Sequence, residues 1–451
     1  MRRSPSGVRH NPARGGTAAP PTTRPTSPQP AGLALSSAGG RWLVAASALG
    51  SGLAFLDSTV VNVALPAIGR ELGGGLGVQQ WVLDGYLLTV SALLLLGGAL
   101  GDRYGRKRVF ACGLVVFCLA SLACGLAPNG PALVAMRAVQ GTGAALVVPG
   151  SLALIDALIA PGDRGRAIGM WAGLSGVASA VGPLLGGWLV QAVSWRWVFF
   201  INLPLAAAAL YITSRHVGES RETQAAGRLD WAGAALITAG LAGVIYTLID
   251  LPTEGWTPVT IGALVLGAAS FAAFIAVETR QAAPIVPLPV FRSIQFTGAN
   301  LTTLAVYAAL NGGMFLLALQ LQQSLHYSPA SAGAAMLPVT VLMLLLSPRM
   351  GALVPRTGPR LPMTAGPLIA GGGLALMARI TPGASYIPAV LPAVALFGLG
   401  LSITVAPLTS AVLASVSQDQ AGLASGINNA VARIAGLFAV AVLPLLAGIN
   451  T

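Results

Sequence analysis

Thirteen apolar runs, each long enough to cross a bilayer, leave this chain no room for a water-soluble domain of catalytic size. About 20 apolar residues in helical form span the roughly 30 Å of hydrocarbon in a membrane. The runs fall at 42–68, 80–101, 109–127, 131–158, 167–191, 196–214, 230–250, 258–279, 296–323, 331–353, 361–380, 386–414 and 422–447. Soluble domains carry about 25% charged residues. At 55% hydrophobic and 8% charged, the whole chain reads as an all-α integral membrane protein.

The charge is confined to short connections. With the N-terminus inside, the tail and inner connections hold twenty of the 25 basic residues, the outer ones hold three (Arg70, Arg196, Arg379), and Arg137 and Arg433 lie within runs. Basic residues collect on the cytoplasmic side, so the N-terminus is expected in the cytoplasm and the protein in the cell membrane. Topology thereby accounts for the net charge of +12, and no nucleic-acid partner is expected. Residues 1–40 contain Pro, Ser, Thr, Gly and Arg with no acid and no periodicity, the composition of a disordered tail. They lack the apolar core and cleavage site of a signal peptide. Cys112, Cys118 and Cys124 are six residues apart in one run, which turns them around a helix instead of gathering them. No metal and no cofactor is expected.

The hairpin between the second and third runs reads GGALGDRYGRKRV, from Gly97 to Val109. A weaker copy, Gly351-Ala-Leu-Val-Pro-Arg-Thr-Gly-Pro-Arg360, follows the tenth run, and Pro149 in the fourth run is echoed by Pro407 in the twelfth. The chain therefore divides into two related bundles of the six-helix type, 41–216 and 293–451, joined by an inserted helix pair within 217–292. Pseudo-symmetric bundles of this kind are a transporter plan, with the substrate site near mid-membrane between the halves.

Few ionisable groups lie at depth. The three histidines, His10, His216 and His326, are in the tail or connections, so any proton carried within the membrane must ride on a carboxylate. Apart from Asp230, Asp250 and Glu278 at the very ends of runs, Asp57, Asp84 and Asp156 are the acids inside them. Asp57 follows Trp42 by about 22 Å of helix at 1.5 Å per residue, well inside the hydrocarbon. Burying an ionised carboxylate there costs several kcal/mol, and such groups face a cavity or a basic partner. Asp84, near Trp81 and Tyr86, is read either as a proton or substrate group or as an interfacial one. Asp156 is expected to pair with Arg164 or Arg166. Arg137 is a second costly group, replaced by Ala395 in the repeat, and Arg433 has no counterpart. Gly176, Gly182, Gly186 and Gly187 permit close backbone approach, and Pro183 bends the fifth helix. Asn311, Met314 and Gln320 offer an adaptable polar-apolar lining.

Four stretches carry a resemblance: Leu56-Asp-Ser-Thr-Val-Val-Asn-Val-Ala-Leu-Pro66, Gly98 to Arg108, Arg137-Ala-Val-Gln-Gly-Thr-Gly143, and Gly176-Val-Ala-Ser-Ala-Val-Gly-Pro-Leu-Leu-Gly-Gly187. Together they resemble the major facilitator superfamily, within it the fourteen-helix drug:proton antiporters. The resemblance implies a proton-coupled exporter, acting as a monomer, of bulky amphipathic compounds, cationic ones included. It assigns proton coupling and substrate contact to Asp57, Arg137 and Asp84. It gives Asp102, Gly105 and Arg103 to a conformational switch that latches the bundles on the inner side. The fifth-helix residues Gly176, Gly182, Pro183, Gly186 and Gly187 become an antiporter motif. Against that family plan the C-terminal bundle is one span short, so a last helix is expected to be missing. A transporter of one defined metabolite and a non-transporting membrane sensor or scaffold remain alternatives. Phosphate-loop, zinc-protease and nucleophile-elbow patterns are absent, and no enzyme activity is expected.

Overall fold

The computed structural model describes residues 32–221, 230–281, 284, 286–416 and 421–446. The first half comprises α1 (Ala38–Leu72), α2 (Gly75–Tyr104), α3 (Arg106–Gly125), α4 (Gly130–Leu158), α5 (Pro161–Ala192), the single turn α6 (Trp197–Phe200) and α7 (Asn202–His216). α8 (Trp231–Glu254) and α9 (Pro258–Glu278) follow. The second half comprises α10 (Ile294–Leu319), α11 (Pro329–Ala335), α12 (Leu337–Thr357), α13 (Arg360–Met377), α14 (Leu391–Ala414) and α15 (Ala421–Leu446). With α6 and α7 sharing one crossing and α11 and α12 another, all thirteen expected spans are helical. Twelve are apolar enough over 18 residues to count as membrane spans by composition. The exception, α13, starts on Arg360 and is diluted by Pro362, Pro367 and three successive glycines.

The first helix begins earlier than the apolar run suggested. Ser37 caps it by accepting from the Gly40 N–H at 3.0 Å. Ahead of it Leu33 pairs with the chain after α4, donating to Leu158 and accepting from Ala160. Residues 33–40 are therefore packed structure and not tail; the rest of the expected disordered segment lies outside the described residues.

The repeat read from sequence has a backbone counterpart. α2 ends at Gly105 (φ 109°) and α12 at Gly358 (φ 72°), conformations that favour glycine. Packing repeats as well: α4 lies against α2 and α3 and α1 against α5, as α14 lies against α12 and α13 and α10 against α15. The inserted pair α8–α9 packs on itself and against α2 and α15. In the first half α7 covers α1 and α3. In the second, no described helix takes the matching place, and an apolar groove of about 970 Å³ runs between α10, α13 and α15.

Two matched seams join the halves, α5 against α11 and α12, and α2 against α15. The first seam is made by backbone. A Cβ on Gly333 would lie 2.1 Å from the Pro183 carbonyl oxygen, and one on Gly187 2.3 Å from that of Pro329. The hydrogen bonds that cross between halves, among the described residues, lie at the end of the bundle away from the Gly105 hairpin. There Gln80 donates to the Val440 carbonyl at 2.8 Å, Gln322 to that of Val63 at 3.0 Å, and the Ala330 N–H to Gln191 at 3.3 Å. Toward the hairpin, Gly162, Gly165, Gly169, Gly173 and Gly176 of α5 have open space at their Cβ positions.

The two hairpin glycines are not equivalent. A Cβ on Gly105 would lie 2.8 Å from the Glu219 carboxyl group, whereas one on Gly358 meets nothing within 4 Å. Each alanine incurs the left-handed backbone penalty of roughly 1–2 kcal/mol. Gly105→Ala is expected to lower the unfolding midpoint in detergent more than Gly358→Ala, because it also displaces Glu219.

Candidate functional site

The heptad-like spacing of helices puts residues three or four apart on one face, and α4 uses this to present Arg137 and Gln140 together toward α1. Asp57, Arg137 and Gln140 are all fully buried. Arg137 donates from one terminal nitrogen to Asp57 Oδ2 at 2.5 Å and to Gln140 Oε1 at 2.6 Å, and from Nε to the Val82 carbonyl at 2.9 Å. The other carboxylate oxygen, Asp57 Oδ1, accepts from Gln140 and Asn202, each at 2.9 Å. Ser121 ties the back of the network: it accepts from Gln140 at 3.1 Å and Asn202 at 2.9 Å and donates to the Phe199 carbonyl at 2.9 Å. The Arg137 guanidinium lies 4.3 Å over the Tyr86 ring, a cation–π contact. The Tyr86 hydroxyl donates to the Ala54 carbonyl. Removing two charges from water costs several kcal/mol per ion. Three hydrogen bonds to the carboxylate and the stacked ring offset that cost here.

A cavity of about 400 Å³ opens between the two halves beside this network. Phe55, Asn62, Tyr86 and Arg137 line it from the first half; Tyr307, Asn311, Met314, Asn428 and Arg433 line it from the second. Asp57 sits behind Arg137 and does not border the space. Among the described residues, the lining holds two arginines and no carboxylate.

A family model described as Major Facilitator Superfamily matches residues 47–440. The chain belongs to the major facilitator superfamily. It is a membrane transporter and not an enzyme. Its superfamily relatives include the puromycin resistance protein pur8 of Streptomyces alboniger, 38% identical over 87% of this chain and 78% of that protein. The tetracenomycin C resistance and export protein of Streptomyces glaucescens is 32% identical over 98% of this chain and 78% of its own. The multidrug resistance protein Stp of Mycobacterium tuberculosis (strain CDC 1551 / Oshkosh) is 36% identical over 88% and 74%. Among solved structures, a POT family transporter in complex with 5-aminolevulinic acid superposes with a TM-score of 0.69 at 13% identity, covering 93% of each chain. A bacterial homologue of the lysosomal transporter Spinster, inward-facing and unoccupied, gives 0.63 at 18% identity, covering 90% of this chain and 82% of that one. These two likenesses concern the fold alone.

Within this superfamily transporter, the residues singled out in sequence separate into groups. Asp57 and Arg137 come together. Asp84 does not join them: Gln80, one turn earlier on the same face of α2, bonds to α15, which places Asp84 at the α2–α15 seam. It is fully buried, and neither oxygen has a hydrogen-bond partner among the described residues. Asp156 pairs with Arg164 at 3.5 Å. Asp102 accepts from Arg106 at 2.8 Å within its own hairpin. Arg103 lies 5.8 Å over the Tyr104 ring. The hairpin is bolted to the segment after α7, where Glu219 accepts from the Lys107 N–H at 3.0 Å and Ser220 accepts from the Arg106 N–H at 2.8 Å. Gly182 and Gly186 let α5 approach Thr59 and Val60 of α1, whereas Gly187 and Pro183 face α11. Gly176 has open space beside it. Gln320 bonds to the Ile380 carbonyl, away from the cavity that Asn311 and Met314 line.

Sequence reasoning passed over Gln140, Ser121, Asn202 and Glu219. Gln140 stands inside a recognised motif three residues after Arg137, which is a usable signal. Asn202 is a single amide in an apolar run, and nothing local marks it as facing Asp57.

Removing one member of a buried ion pair costs about 3–5 kcal/mol because the other charge is left uncompensated. Asp57→Asn and Arg137→Gln are each expected to destabilise the protein in detergent. The double variant is expected to lose clearly less than the sum, as read from a double-mutant cycle of chemical unfolding. The unpartnered Asp84 carboxyl group behaves oppositely: Asp84→Leu is expected to raise the unfolding midpoint, because a buried polar group without partners is replaced by an apolar side chain of similar size.

Proposed function

We propose that this chain is a proton-coupled antiporter that exports small amphipathic drugs or antibiotics across the cytoplasmic membrane. The observation that carries the reading is the buried Asp57–Arg137 pair set against a cavity that both halves line. A proton on Asp57 abolishes its charge, and Arg137, the member of the network that borders the cavity, then loses its counter-ion. Protonation and the closed, paired position of Arg137 exclude one another, so a bound proton and the shape and charge of the substrate site are linked. Gln140, Asn202 and Ser121 hold the carboxylate in place through the exchange. Resistance and export activities named for the relatives support a drug as cargo.

Transport proceeds by alternating access, the halves rocking about the cavity. The inner side is the one bearing the Gly105 hairpin and the N-terminus, in keeping with twenty basic residues on that side against three on the other. Asp102, Arg103 and Gly105 act as the switch by setting how the α2–α3 hairpin seats on Glu219. Gly182, Pro183, Gly186 and Gly187 keep α5 tight against both α1 and α11 so that protons do not leak. Asp84, charged or protonated at the seam, is the second proton site. The working unit is a monomer.

Inside-out vesicles with an imposed pH gradient test the reading, with a panel including puromycin as cargo. Wild-type protein is expected to accumulate at least one compound in a gradient-dependent way. Asp57→Asn is expected to reduce that uptake by tenfold or more. Gradient-driven uptake surviving unchanged in Asp57→Asn would remove Asp57 from the mechanism, and no uptake of any compound by wild type would remove drug export.

A further inference from the structure

The charge lining the cavity is of one sign. Arg137 is neutralised by Asp57, whereas Arg433 of α15 has no carboxylate or hydrogen-bond partner among the described residues and is positioned 5.4 Å over the Phe55 ring of the opposite half. An arginine at this depth is costly unless something pairs with it, and the described residues of the cavity lining supply no acid. A guanidinium stacked on a ring keeps its N–H edges available, and those edges match a planar carboxylate in a bidentate manner. Tyr86 and Tyr307, Asn429, and the flexible Met314 and Met343 complete a wall suited to a ring system carrying polar substituents. A cavity of about 400 Å³ matches a small molecule.

We infer that Arg433 is the substrate-binding cation of the cavity, and that the cargo is an aromatic or alicyclic amphipathic compound bearing an acidic group, which seats on Arg433 with its ring against Phe55. The inference rests on the export reading and narrows its substrate class. It runs against the cationic cargo that the family resemblance admits. Substrate bound in this way touches both halves at once, the acidic group on α15 and the ring on α1. Neutralising Arg433 removes the bare charge that opposes closing the halves over a dry passage.

Binding tests this without any gradient or turnover, so its failure is separable from failure of export. Full-length protein in nanodiscs is dialysed to equilibrium against anthracene-9-carboxylate and, separately, against the anthracen-9-ylmethylammonium ion, with empty nanodiscs subtracted. Wild type is expected to favour the carboxylate by about tenfold or more, one charge-assisted contact's worth. Arg433→Gln is expected to lose that preference, and Arg433→Lys to keep most of it. Asn429→Asp, which places a carboxylate one helical turn from Arg433, is expected to abolish the preference while leaving the arginine in place. Equal affinity for the two probes, preference for the ammonium, no binding of the carboxylate by wild type, or an unchanged preference in both Arg433→Gln and Asn429→Asp would overturn the assignment.

Discussion

The contact between Asp57 and Arg137 organises the first half of the molecule. Five helices converge on it: α1 brings the carboxylate, α4 the guanidinium and Gln140, α3 Ser121, α7 Asn202, and α2 the Tyr86 ring and the Val82 carbonyl. Low dielectric makes every partner matter, since each unsatisfied polar atom at this depth is expensive. The network thus fixes how these five helices are rotated about their axes. Apolar surface alone does that poorly in a membrane, where lipid tails compete on equal terms with side chains.

Among the described residues, the second half has no such knot. Its counterpart to Arg137 is Ala395, and its polar contacts are smaller, such as Asn428 donating to Asn300 and Thr303 between α15 and α10. One half is held by charge and the other by close packing and amides. A substrate lying between them meets a rigid electrostatic wall on one side and a softer wall carrying Met314, Met336 and Met343 on the other. That division suits a carrier accepting cargo of varied shape, because the adaptable wall can repack without disturbing the buried ion pair.

How much of this was legible beforehand follows from what a sequence encodes. Depth in the membrane is countable, so thirteen spans, the burial of Asp57 and the hairpin glycines Gly105 and Gly358 could be read directly. Motif spacing gave Arg137 and the close approach at Gly182 and Gly186. Lateral neighbours are another matter, since which helix lies beside which is decided by tertiary packing. Asp84, read as either a functional or an interfacial group, is instead fully buried, and the rotation of α2 turns it to the seam. Asn202 reaches Asp57 only because α6 and α7 break and redirect the chain. Asp102 pairs with Arg106 of its own hairpin, and the hairpin's anchor, which no motif marks, is Glu219, over a hundred residues away.

The seam between α5 and α11 has a mechanical meaning. Backbone lies on backbone there, at Gly187 against Pro329 and Gly333 against Pro183. Meshed side chains would have to leave their rotamer wells, one after another, for the surfaces to slip past each other. Glycine against a carbonyl ridge is closer to a plain bearing: the surfaces stay in contact through a range of tilts and no rotamer has to be unlocked along the way. If the halves rock as proposed, such a joint lowers the barrier to that motion while keeping the surfaces in contact. The joint reaches the cavity wall itself, since Pro183 lines that space as well as bearing on Gly333.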